Sequence, residues 1–539
     1  MRILARDCFE KSIFYAKLGR MQKVNIIWFR RDLRLEDNQA VFKAAQAGEA
    51  ILPIFIIDPY FYSWPEVGQK RVRFMFESLQ NLHLNLFELG SELVILEGNS
   101  VEILSDLQKL LLSNNFRPNL YFSADVQTEY GKIRDLEVQA NWEKNHPNSL
   151  HIKRAYFLQL QERTDNWHQE YIAYQNGPAF SYPNNLKTDS EIVKLAKKLS
   201  NLTLAELKTK FQQFSAKTQN LFNGGEKEAH NVLKSFLDGR FEGYHWKLSR
   251  PYLAQLGSTS QLSPHIMFGT ISPRLVWQAT RAKLESATSP KSKMSLNAFL
   301  DRLRWRDSFT QRFWFHTEYT WQNRFPEFNA LHNPERQLTD QEIEYFERWK
   351  AGTTGFVLVD ASLRQLREQG WLNFRMRAMV ATFLTINCNV PWQLGARHFM
   401  NNLVDGDMCI NAWQWQMQAG ITNPLSPSFR IYDPNKNLET KDQDLKYAYF
   451  WVPELTGYNL NQILQGEYLS SIYPRPMLNF LETKKINGGI ISNLRKIVRT
   501  RVSEKLGITK PVPKIRTKPK SITKKADTRQ IDLFDEGNE

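Results

Sequence analysis

The first 150 residues alternate short apolar runs, rich in β-branched and aromatic residues, with longer segments of helical periodicity. Strands that are apolar along their whole length are typical of a parallel sheet covered by helices on both faces. The apolar runs lie at 24–29, 51–57, 92–96, 119–122 and 151–157, and the helical segments near 38–47, 70–89, 101–113 and 129–144. We therefore predict a doubly wound α/β domain over residues 24–158, preceded by an N-terminal extension, residues 1–23.

The rest of the chain has a different pattern. Residues 159–225 are polar and rich in Asn, Gln and Lys, with one helical stretch near 189–214, and we interpret them as an interdomain linker. From 226 to 500 the helical period dominates, which predicts a larger all-α domain. Its predicted helices lie at 226–237, 274–287, 295–317, 340–350, 362–368, 375–387 and 391–403.

The charge of the chain favours a polyanionic partner. Lys and Arg number 71 against 56 Asp and Glu, a net charge of +15. Such a surplus is typical of proteins that bind nucleic acid or an anionic membrane surface. Residues 501–529 hold ten Lys and Arg against two acidic residues, so we predict that 501–539 is a basic, disordered tail. It is either a nonspecific phosphate-binding arm or a solubilising segment.

Several classes of protein are disfavoured by the sequence. No apolar run approaches the roughly 18 residues of a membrane-spanning helix. The cysteines (Cys8, Cys388 and Cys409) are too few for a disulfide framework, so a reducing, intracellular compartment that contains nucleic acid fits best. The chain has no G-x-G-x-x-G motif after its first strand and no phosphate-binding P-loop. It also lacks H-E-x-x-H, C-x-x-C and G-x-S-x-G motifs, so we expect neither metal-dependent nor Ser-triad chemistry.

A series of short motifs follows the first strand at characteristic spacings. They are WFRRDLRLEDN at 28–38, TSQLSPH at 259–265, LRWRD at 303–307, GTTG at 352–355, RMR at 375–377, DGD at 405–407, WQW at 413–415 and WVPEL at 451–455. In this order they resemble the DNA photolyase/cryptochrome flavoprotein family over roughly residues 24–460, closest to its class I-like deoxyribodipyrimidine photolyases. The resemblance implies an FAD site in the helical domain.

The resemblance also implies which residues hold FAD. It places Tyr244 and the segment Thr259, Ser260, Gln261, Leu262 and Ser263 on the cofactor. Hydroxyl and backbone N–H groups are the donors that a pyrophosphate needs, although Ser and Thr at such a point are also common helix caps. Arg377 and Asp405 would form an ion pair beside the flavin ring, with Gly406 next to them and Asp407 at the flavin or adenine edge.

The residues that resemble the family's catalytic groups are Asn411, Trp415 and Trp392. Asn411 would face the reactive flavin nitrogen; a neutral amide cannot deliver a carboxyl proton, which favours repair over plant-type signalling. Trp415 and Trp392 would be the proximal and middle members of an electron-transfer chain, although buried indoles are more often core residues. The outer member is missing from its usual place, and Tyr345, Trp349 and Trp413 are candidates.

The pocket expected to receive a damaged base departs from the family pattern. Trp305 matches an aromatic residue that stacks on a flipped-out pyrimidine dimer. Arg302 replaces an acidic residue, Phe374 an Asn, and Met417 a second Trp. The arginines expected to contact DNA phosphates, or else to form only a solvated basic face, are Arg250, Arg306, Arg375 and Arg430.

These resemblances imply light-driven repair of pyrimidine dimers, cyclobutane or (6-4), by a monomer that binds damaged DNA, double- or single-stranded. The alternatives are a cryptochrome-type blue-light receptor with little or no repair activity and a light-independent flavin or nucleic-acid-binding module. The α/β domain would hold a second, antenna chromophore (folate, deazaflavin or flavin) or none.

Overall fold

The computed structural model describes residues 21–63, 68–126, 128–161, 164–200, 202–212, 222–426 and 429–507. Most of the predicted N-terminal extension, residues 1–20, and most of the predicted tail, residues 508–539, lie outside the described residues. Within the described part of the chain, no helix is long and apolar enough to cross a membrane.

The predicted doubly wound sheet is confirmed. It has five parallel strands in the order β3-β2-β1-β4-β5. The strands are β1 (Gln22–Phe29), β2 (Ala50–Ile57), β3 (Val94–Glu97), β4 (Phe116–Ala124) and β5 (Leu150–Arg154). β1 is central and its side chains are buried from Val24 to Phe29, because helices cover both faces. Pro118 is tolerated in β4 because pairing with β5 begins only at Leu120, so no ladder bond is lost there.

Helices pack on both faces of this sheet. Asn38, Asn99 and Thr128 each begin one of them by accepting hydrogen bonds from backbone N–H groups of the first turn. These caps explain why the predicted helix starts were accurate to one residue. The helices of the α/β domain are Gln39–Gln46, Pro59–Ser63, Gln69–Glu88, Ser100–Ser113 and Glu129–Asn145.

The segment interpreted as a linker contains more helix than predicted. Its helices are Trp167–Asn176, Ser190–Lys197 and Leu204–Gln212, of which the first was not expected. Trp167 and Tyr171 are buried and stack on each other, with ring centroids 5.2 Å apart. Aromatic packing therefore stabilises a helix whose polar composition suggested a loop.

Residues 226–505 are predominantly helical, as predicted. The long α-helices are Glu226–Ser235, Pro273–Ser286, Pro290–Phe315, Asp340–Ala351, Val357–Gln369, Phe374–Thr382, Trp392–Asn402, Met408–Gln418, Pro434–Lys441 and Phe480–Lys505. Shorter α-helices are Tyr244–Lys247, Pro251–Leu253, Ser263–Phe268, Lys446–Trp451 and Leu460–Gln465. Short π- or 3-10-helical turns are Phe236–Arg240, Ala254–Ser258, Thr317–Thr320, Pro326–Phe328, Phe383–Asn387 and Pro453–Leu455.

The last helix corrects the predicted start of the tail. Phe480–Lys505 continues past residue 500, so 501–505 are helical rather than disordered. Val498 is fully buried and Val502, one turn further, packs against the same core. Because Val498 and Val502 lie one turn apart and both contact the core, they stabilise the helix through residues 501–505.

The charged segment that follows β1 joins the two domains. Arg34 donates to the carbonyl oxygens of Ala155 at 2.8 Å and Gly269 at 3.0 Å. Asp37 forms a buried ion pair with Arg274, whose Nε lies 3.0 Å from the carboxylate. These charges are thus used inside the protein, where buried ions need partners.

Candidate functional site

Arg377 and Asp405 form the ion pair that the motifs predicted. Nη2 of Arg377 lies 3.0 and 2.9 Å from the two carboxylate oxygens of Asp405. The Asp405 side chain is only 4% exposed and that of Arg377 is 26% exposed. Arg377 Nε also donates to the carbonyl of Leu372 at 2.8 Å, which fixes the guanidinium. Burying two charges costs folding free energy unless both are well hydrogen-bonded. The presence of this pair next to Gly406 therefore indicates a functional site.

The loop that ends at Leu262 is held by a residue that sequence reasoning missed. Nη1 of Arg240 donates to Gly257 O at 2.8 Å and also to Thr259 O, while Nη2 donates to Val232 O at 2.9 Å. Gln261 has a positive φ of 57°, so the backbone turns sharply there. Arg240 lies upstream of the recognised motif, which is why the motif alone did not reveal it.

The hydroxyl groups of this loop are available to a ligand. The Oγ atoms of Ser258 and Thr259 are buried and have no hydrogen-bond partner among the described residues. The following short helix, Ser263–Phe268, has no side-chain cap hydrogen bond at Leu262. Capping therefore does not account for the hydroxyl cluster, whereas a bound pyrophosphate would satisfy it. The residues fit the diphosphate of a dinucleotide such as FAD.

Tyr244 lies in the same part of the helical domain. It is 7% exposed and packs on Phe236 and Phe299, each with a ring-centroid distance of 5.6 Å. Burial raises the pKa of its hydroxyl, and the nearby charge of Arg302 opposes that shift. The Tyr244 hydroxyl therefore stays neutral, and its contact with the flavin stays a prediction.

Asp407 has protein contacts on both carboxylate oxygens, and its place at a flavin or adenine edge stays a prediction. Its Oδ1 accepts from the N–H of Ile410 at 3.1 Å and so caps the helix Met408–Gln418. Its Oδ2 pairs with Arg31 at 3.1 Å. Both oxygens thus have protein partners, because an Asp before the first helical turn is a favourable cap. Asn411 lies one turn on, buried, and its Nδ2 donates to Ala396 O at 3.0 Å, which leaves the amide oxygen as an acceptor.

The two predicted relay tryptophans lie on adjacent helices. Trp415 is 2% exposed and Trp392 is fully buried. A side chain at Gly395 would meet the ring of Trp415 at 2.3 Å, so the indole packs directly on the backbone of the helix that carries Trp392. Of the three candidates for an outer member, Trp349 contacts Trp415 at 6.1 Å between centroids, but it and Trp413 are buried.

Trp321 is an exposed indole that the sequence reasoning did not consider. It is 38% exposed, and its carbonyl accepts from Gln393 Nε2 at 3.2 Å. Two residues along, Asn323 accepts from Trp392 Nε1 at 2.7 Å. The segment 321–323 therefore connects Trp392 to the surface, a relation that only the tertiary structure reveals.

The residues predicted for the damaged-base pocket form an alternating series of cations and rings, which we call the cation–aromatic ladder. The Arg302 guanidinium carbon lies over the rings of Trp305 and Phe374, at 4.2 and 5.0 Å from their centroids. The guanidinium of Arg375 lies over Phe374 at 5.2 Å and over Tyr432 at 5.1 Å. Phe374 is 41% exposed, so the ladder faces solvent. Stacked aromatic and guanidinium groups of this kind bind unpaired bases.

The four predicted phosphate-contacting arginines are not equivalent. Arg430 is exposed, whereas Arg250 and Arg375 are half-buried; Met417, predicted for the damaged-base pocket, is also half-buried. The prediction that Arg306 contacts phosphates at the surface is wrong. Its side chain is only 12% exposed, pairs with Asp307 at 2.5 Å and lies over the Tyr156 ring at 4.3 Å. A buried carboxylate beside it explains this position.

Lys441 is a further cation close to the cation–aromatic ladder. Burial, together with the charges of Arg375 and Arg250, lowers the pKa of Lys441. These three cations therefore lie close enough to repel one another. Like charges held together in this way indicate a surface for an anionic partner.

A separate pocket lies at the carboxyl ends of β1 and β2. It has a cavity volume of about 160 Å³, is partly open to solvent, and is lined mostly by apolar groups such as Trp28, Phe55 and Met75. Arg71 and Arg134 add cationic groups to its wall. Open parallel sheets bind ligands at this edge.

Comparison with known proteins agrees with this geometry. The model of the family described as DNA photolyase matches residues 25–155, and that of the FAD binding domain of DNA photolyase matches residues 299–490. The deoxyribodipyrimidine photo-lyase of Agrobacterium fabrum is 30% identical over 473 residues, which are 84% of this chain and 90% of that protein. The cryptochrome DASH of Synechocystis is 27% identical over 490 residues, covering 84% of this chain and 95% of that protein.

A solved structure matches over the same extent. It is an archaeal photolyase from Sulfolobus tokodaii with two FAD molecules, and it is 27% identical to this chain. The TM-score is 0.71, with 88% of this chain and 100% of that chain covered. The chain therefore belongs to the photolyase/cryptochrome family of FAD-binding proteins.

Proposed function

We propose that this protein repairs pyrimidine dimers in DNA by light-driven, FAD-dependent electron transfer, as a deoxyribodipyrimidine photo-lyase. One observation carries the proposal: a single helix, Phe374–Thr382, bears both the exposed ring of Phe374 and the half-buried Arg377 of the ion pair. Residues three apart lie on the same side of a helix. A base stacked on the ladder is therefore brought near the group held beside Arg377.

The proposal gives each part of the chain a task. Tyr244, the hydroxyls of Ser258 and Thr259, and the pair of Arg377 with Asp405 hold the cofactor. When bound and reduced, the flavin supplies a light-excited electron donor, which is the chemistry that opens a cyclobutane ring. Asn411 Nδ2 donates to Ala396 O, so the amide oxygen is the group that would accept a hydrogen bond from the cofactor, and the amide carries no acidic proton.

The protein also has to bind DNA and extrude the lesion. Trp305, Phe374 and Tyr432 offer ring faces that compensate for the stacking lost when a dimer leaves the duplex. Arg250, Arg375 and Lys441 provide a sequence-independent attraction to phosphates. A dimer unstacks at low cost because it is already poorly paired, and this favours damaged over intact sites.

The pocket at the ends of β1 and β2 is proposed to hold a second chromophore. Its apolar wall suits a planar ring system, and Arg71 and Arg134 suit a phosphate or carboxylate on that molecule. The two FAD molecules of the archaeal photolyase support a second chromophore in this family. An absorption spectrum of the purified protein, with release and chromatography of its pigments, identifies the molecule.

The decisive experiment illuminates the purified, reduced protein with an oligonucleotide that contains one thymine dimer. Repair restores the 260-nm absorbance of two thymines under blue light and leaves it unchanged in the dark. The same oligonucleotide without protein and an undamaged oligonucleotide are the controls. Bound reduced FAD without any restored thymine contradicts the proposal.

A cryptochrome-type receptor is the second candidate. Arg302, Phe374 and Met417 depart from the lesion pocket of repair enzymes, and the relatives include cryptochromes. A receptor predicts a light-dependent change in protease sensitivity or in partner binding, and no repair. The illumination experiment separates the two functions, because only one of them restores thymine.

A further inference from the structure

Arg302 lies between two aromatic rings and has no carboxylate partner of its own, unlike Arg306 and Arg377, which pair with Asp307 and Asp405. Its guanidinium lies over the rings of Trp305 and Phe374, and it also interacts electrostatically with Tyr244, Asp301 and Arg375. It forms no hydrogen bond or ion pair with any residue that the structure describes, and the carboxylate next to it in sequence, Asp301, pairs with Arg304 at 2.9 Å. Burial lowers the pKa of Arg302, yet a guanidinium stays charged in proteins.

The two rings orient the Arg302 guanidinium but provide no acceptors for its N–H groups. Two ring faces hold the guanidinium by cation–π attraction, which leaves its N–H donors for another partner. A half-buried cation that lacks a protein acceptor is costly, and an incoming ligand with acceptor atoms removes that cost. Phe374 is the most exposed of the two rings, so the ligand enters from the solvent side of the ladder.

The ligand chemistry follows from the donors. The five N–H groups of a guanidinium form a fork that pairs with two neighbouring acceptors at once. In a cis-syn thymine dimer the two bases lie side by side, with both O4 carbonyl oxygens on the same edge. We propose that Arg302 is a specificity-determining residue that donates to these paired carbonyl oxygens, and that this site prefers dimers of thymine or uracil to dimers containing cytosine.

Cytosine is disfavoured for a simple reason. It carries an amino group in place of O4, and that group is a donor. When an N–H of Arg302 faces the amino group of cytosine, both donors stay unpaired in a partly desolvated site. This weakens binding more than the absence of a contact would. The inference rests on the proposed function, because it assumes that the site takes dimers.

The test measures dark binding, so it does not depend on turnover. The wild type and Arg302→Met are titrated at 4 °C with oligonucleotides that contain a thymine–thymine dimer, a thymine–cytosine dimer or no dimer. The wild type is expected to prefer the thymine–thymine dimer over the thymine–cytosine dimer by about tenfold or more, as for one bidentate base contact. Arg302→Met should lose that preference while its FAD content and melting temperature stay unchanged.

Two variants serve as controls. Arg302→Lys keeps the charge without the fork and should retain only part of the preference. Arg430→Met removes an exposed arginine and should weaken all three complexes by a similar factor, leaving their ratios unchanged.

The outcomes distinguish the inference from the function. Equal wild-type affinity for the two dimers, or a preference that survives in Arg302→Met, overturns the role of Arg302, even if thymine dimers are repaired in light. If the wild type neither binds damaged DNA nor repairs it in light, the proposed function is contradicted instead. A thymine preference that disappears in Arg302→Met supports the inference.

Discussion

Arg31 and Asp407 form an ion pair of 3.1 Å although 376 residues separate them in the chain. Arg31 follows the central strand β1 and also pairs with Asp125, 2.6 Å away, after β4. Asp407 caps the helix that carries Asn411 and Trp415. The Arg31 guanidinium thus connects the carboxyl end of the central strand to the helix Met408–Gln418, so the two domains position each other.

Replacing Arg31 should destabilise this junction strongly. Arg31→Met leaves two buried carboxylates without their cation, and such a change costs about 3–5 kcal/mol. Urea unfolding of the FAD-loaded protein measures it. Arg73→Met removes a more exposed pair with Glu77, four residues away, and should cost less than about 1 kcal/mol. Similar costs for the two variants would contradict the role given to Arg31.

Arg240 is expected to act as a positioning residue for the cofactor loop. Arg240→Met removes the donors that hold Gly257 O, Thr259 O and Val232 O, while Thr259 itself remains. We expect FAD affinity to fall by about 2 kcal/mol, because roughly two net hydrogen bonds are lost from the preformed loop. Apoprotein titration with FAD measures this.

Arg240→Lys is the matched control, since one ammonium can satisfy part of the carbonyl set. It should recover part of the affinity. If Arg240→Met binds FAD as the wild type does, the loop is held by other contacts and the assignment fails.

Light-driven reduction of the flavin should require the indoles that lead from Trp415 to the surface. Trp392→Phe should slow photoreduction, because phenylalanine is much harder to oxidise than tryptophan. Trp321→Phe should slow it as well, since Trp321 is exposed and its segment is bonded to Trp392 and Gln393. The rate of bleaching at 450 nm under blue light measures both. Trp246→Phe, another exposed indole, should leave the rate unchanged.

The fold was more predictable from the sequence than the site. Apolar runs located β1 and β2 within two residues at each end, because burial on both faces leaves no polar alternation to misinterpret. The helix Trp167–Asn176 was not predicted, because its sequence is polar and it is stabilised by the stacking of Trp167 on Tyr171. Local pattern does not reveal packing of that kind.

The site residues show a similar division. Arg377 and Asp405 were paired correctly because both lie in motifs. Arg306 also lies in a motif, but its partner Asp307 and the ring of Tyr156 place it inside the protein. Arg240, Lys441 and Trp321 have ordinary sequence neighbours, and only the tertiary contacts distinguish them.

The contact between His230 and Glu36 makes the domain junction sensitive to pH. His230 Nε2 lies 3.1 Å from Glu36, and this hydrogen bond, with the neighbouring charge of Glu226, raises the pKa of His230 above 6.5. A raised pKa in the folded state means that the stabilisation is complete below about pH 6.5 and is lost as the pH rises above it. The pair is half-exposed, so it contributes less than about 1 kcal/mol.

The variant His230→Gln should therefore lower the melting temperature at pH 6 and have little effect at pH 8.5. Glu226 also faces this group, but its two oxygens already accept from the backbone N–H groups of Leu35 and Glu36. His168→Gln is the control, because burial lowers the pKa of His168. An equal loss at both pH values would contradict the ionic contribution.

Removal of residues 508–539 should separate the two interpretations of the basic tail. The deletion begins after Gly507 so that the helix Phe480–Lys505, whose Val498 and Val502 pack on the core, is left intact. A phosphate-binding arm releases counterions when it binds, so its loss should weaken DNA binding most at low salt and reduce the slope of log affinity against log salt. The slope is measured by titrating undamaged duplex at several salt concentrations. An unchanged slope together with reduced protein solubility would show that the tail acts as a solubilising segment, because a segment that does not contact phosphate releases no counterions.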